Sequence, residues 1–202
     1  MVEEHSEELP QIDEATIRKC QEGDKGAFHM IYQHFKTKVF STAFRFTNNY
    51  DEAMDLTQDI FINIFKKIKM FEFRSSLSTW IYRLSVNAGI DRVRKYKRYT
   101  LTSMDHPDFQ ATNDFKELHK EHQVKRADEN VIQDENAAST HEALQRLSPK
   151  LRAILILRYI EDLPYSEIAT VLKCSEGTVK SRLNRAHIKL KEVLEKDSEV
   201  GR

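Results

Sequence analysis

Apolar residues recur along this chain at intervals of three and four, almost never two, which predicts helices throughout and no strand. A first helix is predicted over residues 14–21, closed by Gly23. A second runs over 25–46, with Phe28, Ile31, Tyr32, Phe35, Val39, Phe40, Ala43 and Phe44 marking its buried stripe. Asn48 to Asp51 break the pattern, and Asn49 stands where an N-cap belongs, with Glu52 three residues on. The next helix turns Leu56, Ile60, Phe61, Ile64, Phe65 and Ile68 to a core and leaves Asp55, Gln58 and Asp59 on its other side. After a loop over 71–76, Ser78 is the expected cap of a fourth helix. Its apolar face is Trp80, Ile81, Leu84 and Ala88, before Arg92, Arg94, Lys95, Lys97 and Arg98 take over.

From about 100 to 140 large apolar residues are sparse, so the segment cannot bury enough surface to offset the entropy of ordering it. It reads as a linker with transient helix over 114–125. Periodicity returns with Leu144, Leu147, Leu151, Ile154, Leu155 and Tyr159, and Ser148-Pro149 suits the start of a helix continuing to about 160. Two short helices then follow, Ser166 to Leu172 and Glu176 onward, joined by the tight turn Lys173-Cys174-Ser175. That spacing is a helix-turn-helix: Ala169 lets the helices cross closely, Ile168, Leu172, Val179 and Leu183 share a core, and Ser175 caps the second helix. Lys173 in the turn implies a positive φ on a residue with a Cβ. The expected fold is all-α: two small helical domains over 12–98 and 142–196, joined by a flexible acidic linker over 99–141.

The chain has 202 residues, with 32 Lys and Arg against 32 Asp and Glu. A net charge of zero argues against a nucleic-acid partner only if charge is evenly spread, and it is not. Residues 1–14 carry six acids and no Lys or Arg, and 100–142 carry ten acids against four bases. Residues 61–98 hold ten bases against two acids, and 150–191 hold nine against four. The zero is a sum of two basic segments and two acidic ones, and the acidic linker is placed to compete with DNA for the basic surfaces. Cys20 and Cys174 match no metal or redox spacing and are expected to be free thiols of a reducing, cytoplasmic compartment. No apolar run is long enough for a membrane span. His119 and His122, with Glu121 or His106, lack further ligands at a metal spacing, and no nucleophile–base set or phosphate loop occurs, so neither enzyme activity nor metal nor cofactor is expected.

The second helix of the helix-turn-helix exposes Thr178, Lys180, Ser181, Arg182, Asn184 and Arg185, side chains that bond phosphates and base edges in a major groove. The runs from Leu147 to Tyr159, Leu163 to Ala169 and Glu176 to Ala186 resemble the promoter-reading fourth region of bacterial sigma factors. Asp51 to Phe61, and Ser78 to Arg83 with Asn87 to Arg92, look like the second region. With only these two regions, the chain resembles the extracytoplasmic-function type. An alternative, a response regulator with a similar C-terminal motif, needs strand periodicity that residues 1–98 lack.

The resemblance implies a factor that binds core RNA polymerase through its clamp coiled coil and flap, with no small-molecule substrate and no membrane insertion. Asp55, Gln58, Asp59 and Ile62 are the implied clamp contacts. Phe71, Phe73, Arg74, Ser75 and Ser76 form the loop that captures a flipped base of the minus-ten element, followed along the helix by Asn87, Asp91, Arg94 and Arg98. Phe73 stands where a glycine is common and Arg74 where an acid is common. Ser175, Thr178, Lys180, Ser181, Arg182, Asn184 and Arg185 are the implied minus-thirty-five contacts, and an anti-sigma protein is the implied regulator.

Overall fold

The computed structural model describes residues 12–104 and 135–200. Helix α1 (Glu14–Glu22) is capped by Asp13, whose carboxylate accepts from the Thr16 amide at 2.7 Å. It ends at Gly23, where φ is 101, a conformation that a side chain would strain. Asp24 then caps α2 (Lys25–Thr47), and Asn49 caps α3 (Tyr50–Lys67) by accepting from the Glu52 amide at 2.9 Å. A short 3-10 turn (Ile68–Met70) leads into the loop before α4 (Leu77–Met104). The cap of α4 is Ser76, not the expected Ser78: its hydroxyl accepts from the Thr79 amide at 3.0 Å, because the helix begins two residues earlier than the apolar pattern alone suggests.

The C-terminal half comprises α5 (Glu135–Arg146), α6 (Pro149–Leu155), a π-turn (Ile156–Ile160), α7 (Tyr165–Leu172) and α8 (Glu176–Val200). The helix expected to reach 160 therefore changes its winding at Ile156, and Asp162 at φ 47 reverses the chain before α7. Helix α4 runs past the expected boundary at 98, and α5 begins before 142. Extending a helix from a folded nucleus is cheap compared with starting one, so polar residues at both margins of the linker remain helical. The predicted helix over 114–125, the histidines His106, His119 and His122, and the acidic N-terminus lie outside the described residues. Among the described residues no helix is long and apolar enough to cross a membrane.

The core falls into two clusters. One lies within α1 to α4 and is built on Ile31, Phe35, Val39, Ile60, Ile64, Trp80 and Ile81. Phe65, expected there, is 46% exposed and only edges against Phe28, with ring centroids 5.0 Å apart. Tyr32 and Tyr159 likewise turn outward. The second cluster joins the two halves: Phe46, Tyr82, Val86 and Ile90 from α2 and α4 pack with Leu147, Ile154, Leu157, Ile168, Val179 and Leu183.

Polar contacts fasten this joint. Arg152, 2% exposed, donates to the carbonyls of Leu144 at 2.9 Å, Gln145 at 2.6 Å and, across the joint, Phe46 at 2.8 Å. These carbonyls lie in the last turns of α5 and α2, whose partial negative charge favours a cation. Gln145 donates to the neighbouring Arg45 carbonyl at 2.9 Å. Thr42 donates to Glu161 at 3.2 Å and Thr79 to Glu167 at 2.5 Å. His141 stacks on Phe44, 5.0 Å between centroids, and burial together with Arg45 and Arg152 lowers its pKa to about 4.

Two outcomes follow from this packing. A Cβ on Gly89 falls 2.4 Å from the buried Phe46 ring, so Gly89→Ala is expected to cost about 1–3 kcal/mol in denaturant unfolding. His141 is neutral in the fold while an opened or unfolded chain protonates it below about pH 6.5, so its share of stability is complete above that pH and declines as pH falls toward 4. Thermal unfolding of His141→Phe between pH 7 and 4.5 is expected to show a shallower loss than the parent chain.

Candidate nucleic-acid and polymerase interfaces

In the helix-turn-helix, α7 ends at Leu172 and Lys173 follows at φ 50, a left-handed turn taken despite its Cβ. The Cys174 amide closes the turn onto the Ala169 carbonyl at 3.0 Å. Ser175 accepts from the Thr178 amide at 3.2 Å and shares a 2.9 Å bond with its hydroxyl, so Ser175 and Thr178 order the first turn of α8. Val179, Leu183 and Ala186 are buried at spacings of four and three, which fixes the roll of the helix. Lys180, Ser181, Asn184 and Arg185 therefore stand in solvent, with Thr178 and Arg182 half-buried at the edges. The Arg185 guanidinium leans on Ser181, its Nε 3.4 Å from the carbonyl and Nη2 3.4 Å from the hydroxyl. The expected minus-thirty-five residues thus run from the cap of α8 along its first three turns, on the side that the burial leaves outward and at its edges.

On α3, Asp55, Gln58, Asp59 and Ile62 are all exposed, joined by Met54 and by Phe65, which the apolar pattern assigns to the core. The face is acidic with apolar patches. Asp59 pairs with Arg92 of α4 at 3.2 Å, an exposed contact that a competing cation can displace at little cost.

The loop between the 3-10 turn and α4 is organised more tightly than the sequence suggested. Phe71, expected to face DNA, is buried: its ring lies 5.5 Å from Trp80 and 4.9 Å from Phe73. The ring belongs to the core, so it braces the loop from beneath. Phe73 is half-buried with φ 57, Arg74 is exposed and paired with Glu72 at 2.8 Å, and Ser75 is half-buried. Ser76 is exposed, but its hydroxyl is engaged as the helix cap. Trp80 belongs to the core, as its place in the apolar stripe implied. Asn87, Asp91, Arg94 and Arg98 form one exposed stripe along α4, with Asp91 and Arg94 at 3.7 Å.

Sequence reasoning missed Arg18 and Gln21 of α1, which reach the loop, and Arg152 and Glu167, which tie the halves together. Their partners lie far away in the chain, so no local spacing marks them.

A helical chain with an exposed helix-turn-helix at one end and a stripe of polar and basic residues on a helix at the other has the form of a DNA-binding protein. Family profiles for Sigma-70 region 2 and Sigma-70 region 4 match residues 31–99 and 138–190. The RNA polymerase sigma-H factor of Pseudomonas aeruginosa is 31% identical over 86% of this chain and 89% of its own. The ECF RNA polymerase sigma factor SigW of Bacillus subtilis is 28% identical over 88% and 94%. The structure of CnrH in complex with the cytosolic domain of CnrY has the same fold, with a TM-score of 0.65 at 20% identity over 93% of this chain and 99% of that one. RpoE from Bartonella quintana, solved with the anti-sigma factor NepR, gives 0.59 at 24% identity over 83% and 96%. The chain belongs to the sigma-70 family of RNA polymerase sigma factors, of the extracytoplasmic-function type.

Two exposed cations of α8, Arg185 and Lys180, differ in what they suit. Arg185 is a planar fork already oriented by Ser181, whereas Lys180 is a point charge on a free stem. Arg185→Ala is expected to lower affinity for the cognate duplex by about 1–3 kcal/mol and relax preference at one base pair. Lys180→Ala is expected to weaken all sequences evenly and reduce the salt slope by about one. Fluorescence anisotropy against a panel of single-base promoter variants separates the two.

Proposed function

We propose that the chain reads a promoter with both halves at once while held on core RNA polymerase. Ser175, Thr178, Lys180, Ser181, Arg182, Asn184 and Arg185 engage the minus-thirty-five element in its major groove. Arg74, Ser75 and the exposed edge of Phe73 receive an unstacked base of the minus-ten element, with Phe71 as their support and Ser76 as the helix cap. Asn87, Asp91, Arg94 and Arg98 track the adjoining strand, where stacking surface and cations are what a separated strand requires. The observation that carries this reading is the rigid presentation of α8: three buried residues roll its polar side outward on a chain that also bears the α4 stripe.

Asp55, Gln58, Asp59 and Ile62 dock on the clamp coiled coil, an acidic and apolar face suited to a helix rich in arginine. The C-terminal module docks on the flap, for which Tyr159, Ile160 and Ile188, each exposed, offer apolar surface. In this reading the chain supplies binding and strand separation and no bond-making chemistry, and it acts in the cytoplasm, where polymerase and DNA meet. Relatives solved with the cytosolic domain of CnrY and with the anti-sigma factor NepR support an anti-sigma regulator here as well.

The joint between the modules has to open for this work. Elements some 25 base positions apart are separated by on the order of 80 Å of duplex, while a compact chain of this length has a radius of gyration of about 16 Å. The Thr79–Glu167 and Thr42–Glu161 bonds are therefore exchanged for water or polymerase contacts when the factor loads.

Asp59→Arg is expected to weaken co-purification with core polymerase by more than about tenfold while circular dichroism stays unchanged. Undiminished binding overturns the docking face. Transcription by reconstituted holoenzyme from a promoter library tests the whole reading, and failure to select any promoter would refute it.

A further inference from the structure

Helix α1 carries no part of the DNA or polymerase faces, yet two of its side chains converge on the loop at 71–76. Gln21, half-buried, uses its amide twice, donating to the Ile68 carbonyl at 3.0 Å and the Phe71 carbonyl at 2.8 Å. The first acceptor opens the 3-10 turn and the second opens the loop, so one side chain spans the turn and fixes the direction in which the loop departs. One helical turn earlier, the Arg18 guanidinium lies 4.9 Å from the centroid of the Phe73 ring. Glu14 holds it there, accepting from Nε at 2.9 Å and from Nη2 at 2.5 Å.

The loop needs such holding. Phe73 sits at φ 57, a conformation in which a bulky side chain crowds its own backbone, and it persists only where surroundings over-determine it. Phe71 packs on one part of the ring and Arg18 on another. The left-handed turn at Phe73 in turn directs Arg74 outward, while Ser76 is pinned as the cap of α4. The loop is fixed at its entry by Gln21, at its apex by Arg18 and at its exit by Ser76.

We propose that Gln21 and Arg18 are positioning residues for promoter melting: they hold the loop in its base-receiving conformation before DNA arrives, so the ordering cost is not met during strand separation. Gln21 sets the loop backbone and Arg18 stabilises the strained apex. Neither touches the base. This rests on the reading that the loop receives the unstacked minus-ten base.

The test uses holoenzyme reconstituted with core polymerase, on a duplex promoter and on the same promoter with its minus-ten segment already mismatched. Gln21→Leu keeps the side chain's bulk and removes both donors, and Arg18→Ala alters an exposed residue that the fold does not require. Opening of the duplex, followed by permanganate reactivity of unpaired thymines, is expected to slow about tenfold for Gln21→Leu and about threefold for Arg18→Ala. Base discrimination is expected to fall at one minus-ten position only, while core affinity and minus-thirty-five binding hold. Loss of core affinity in step with opening means a general folding role and overturns the proposal. Arg74→Ala is the control for the underlying reading. If it slows opening and neither α1 variant does, the proposal falls and the reading stands. If Arg74→Ala and Phe73→Ala both leave opening unchanged, the reading itself fails and takes the proposal with it.

Discussion

The guanidinium of Arg152 sits where three helices meet, in a place where a cation should be costly. Burial pulls its pKa down to about 10, still above neutrality, and its three acceptors are main-chain carbonyls. Those carbonyls belong to helix ends, whose unsatisfied acceptors also need a partner once water is excluded. The arginine and the two helix termini thus solve each other's desolvation. Beside it Phe46, Tyr82 and Ile90 pack with the C-terminal side in one buried cluster. The arrangement is asymmetric: two of the acceptors stay with Arg152 when the halves separate, and only Phe46 must find water. A joint of that kind is firm in the free chain and still openable.

The faces used for binding are held differently from the joint. Helix α8 is rolled into place by apolar burial within the C-terminal half, so its polar side is exposed whether the modules are together or apart. The loop at 71–76 is pinned by a polar side chain, a ring stack and a helix cap, and one of those links continues across the joint: Ser76 contacts Thr79, and Thr79 donates to Glu167 at the start of the helix-turn-helix. Opening the joint frees the Thr79 hydroxyl beside the loop. The Tyr82 hydroxyl, pushed far up by burial and by the Glu161 carboxylate, also stays un-ionised and within the joint. The joint and the loop therefore share residues.

Charge gains a spatial meaning in the same way. The balance of 32 against 32 conceals two basic faces that lie on different helices. The one on α4 and the loop before it is dressed locally by acids: Asp91 beside Arg94, Glu72 beside Arg74, and Asp59 beside Arg92. These pairs are exposed and weak, so a phosphate backbone or a partner helix replaces them readily. Neutrality in this chain is a condition of the unbound state.

Periodicity alone placed the helices, because burying one face of a helix leaves a repeat in the chain that no neighbour can erase. The caps Asn49 and Ser175, the left-handed Lys173 and the outward side of α8 were legible for the same reason: each is decided within four residues. Ser76 displaced Ser78 as a cap because the helix start depends on how the preceding loop is pinned. Phe71 went inward because Trp80 offered it a surface, a fact that no spacing records. Gln21, 47 and 50 residues from its acceptors, and Arg152, 106 from Phe46, could be assigned only in three dimensions. Local propensity and amphipathic repeat are properties of the chain, whereas the partner of a long polar side chain is chosen by which carbonyls the packing leaves without water.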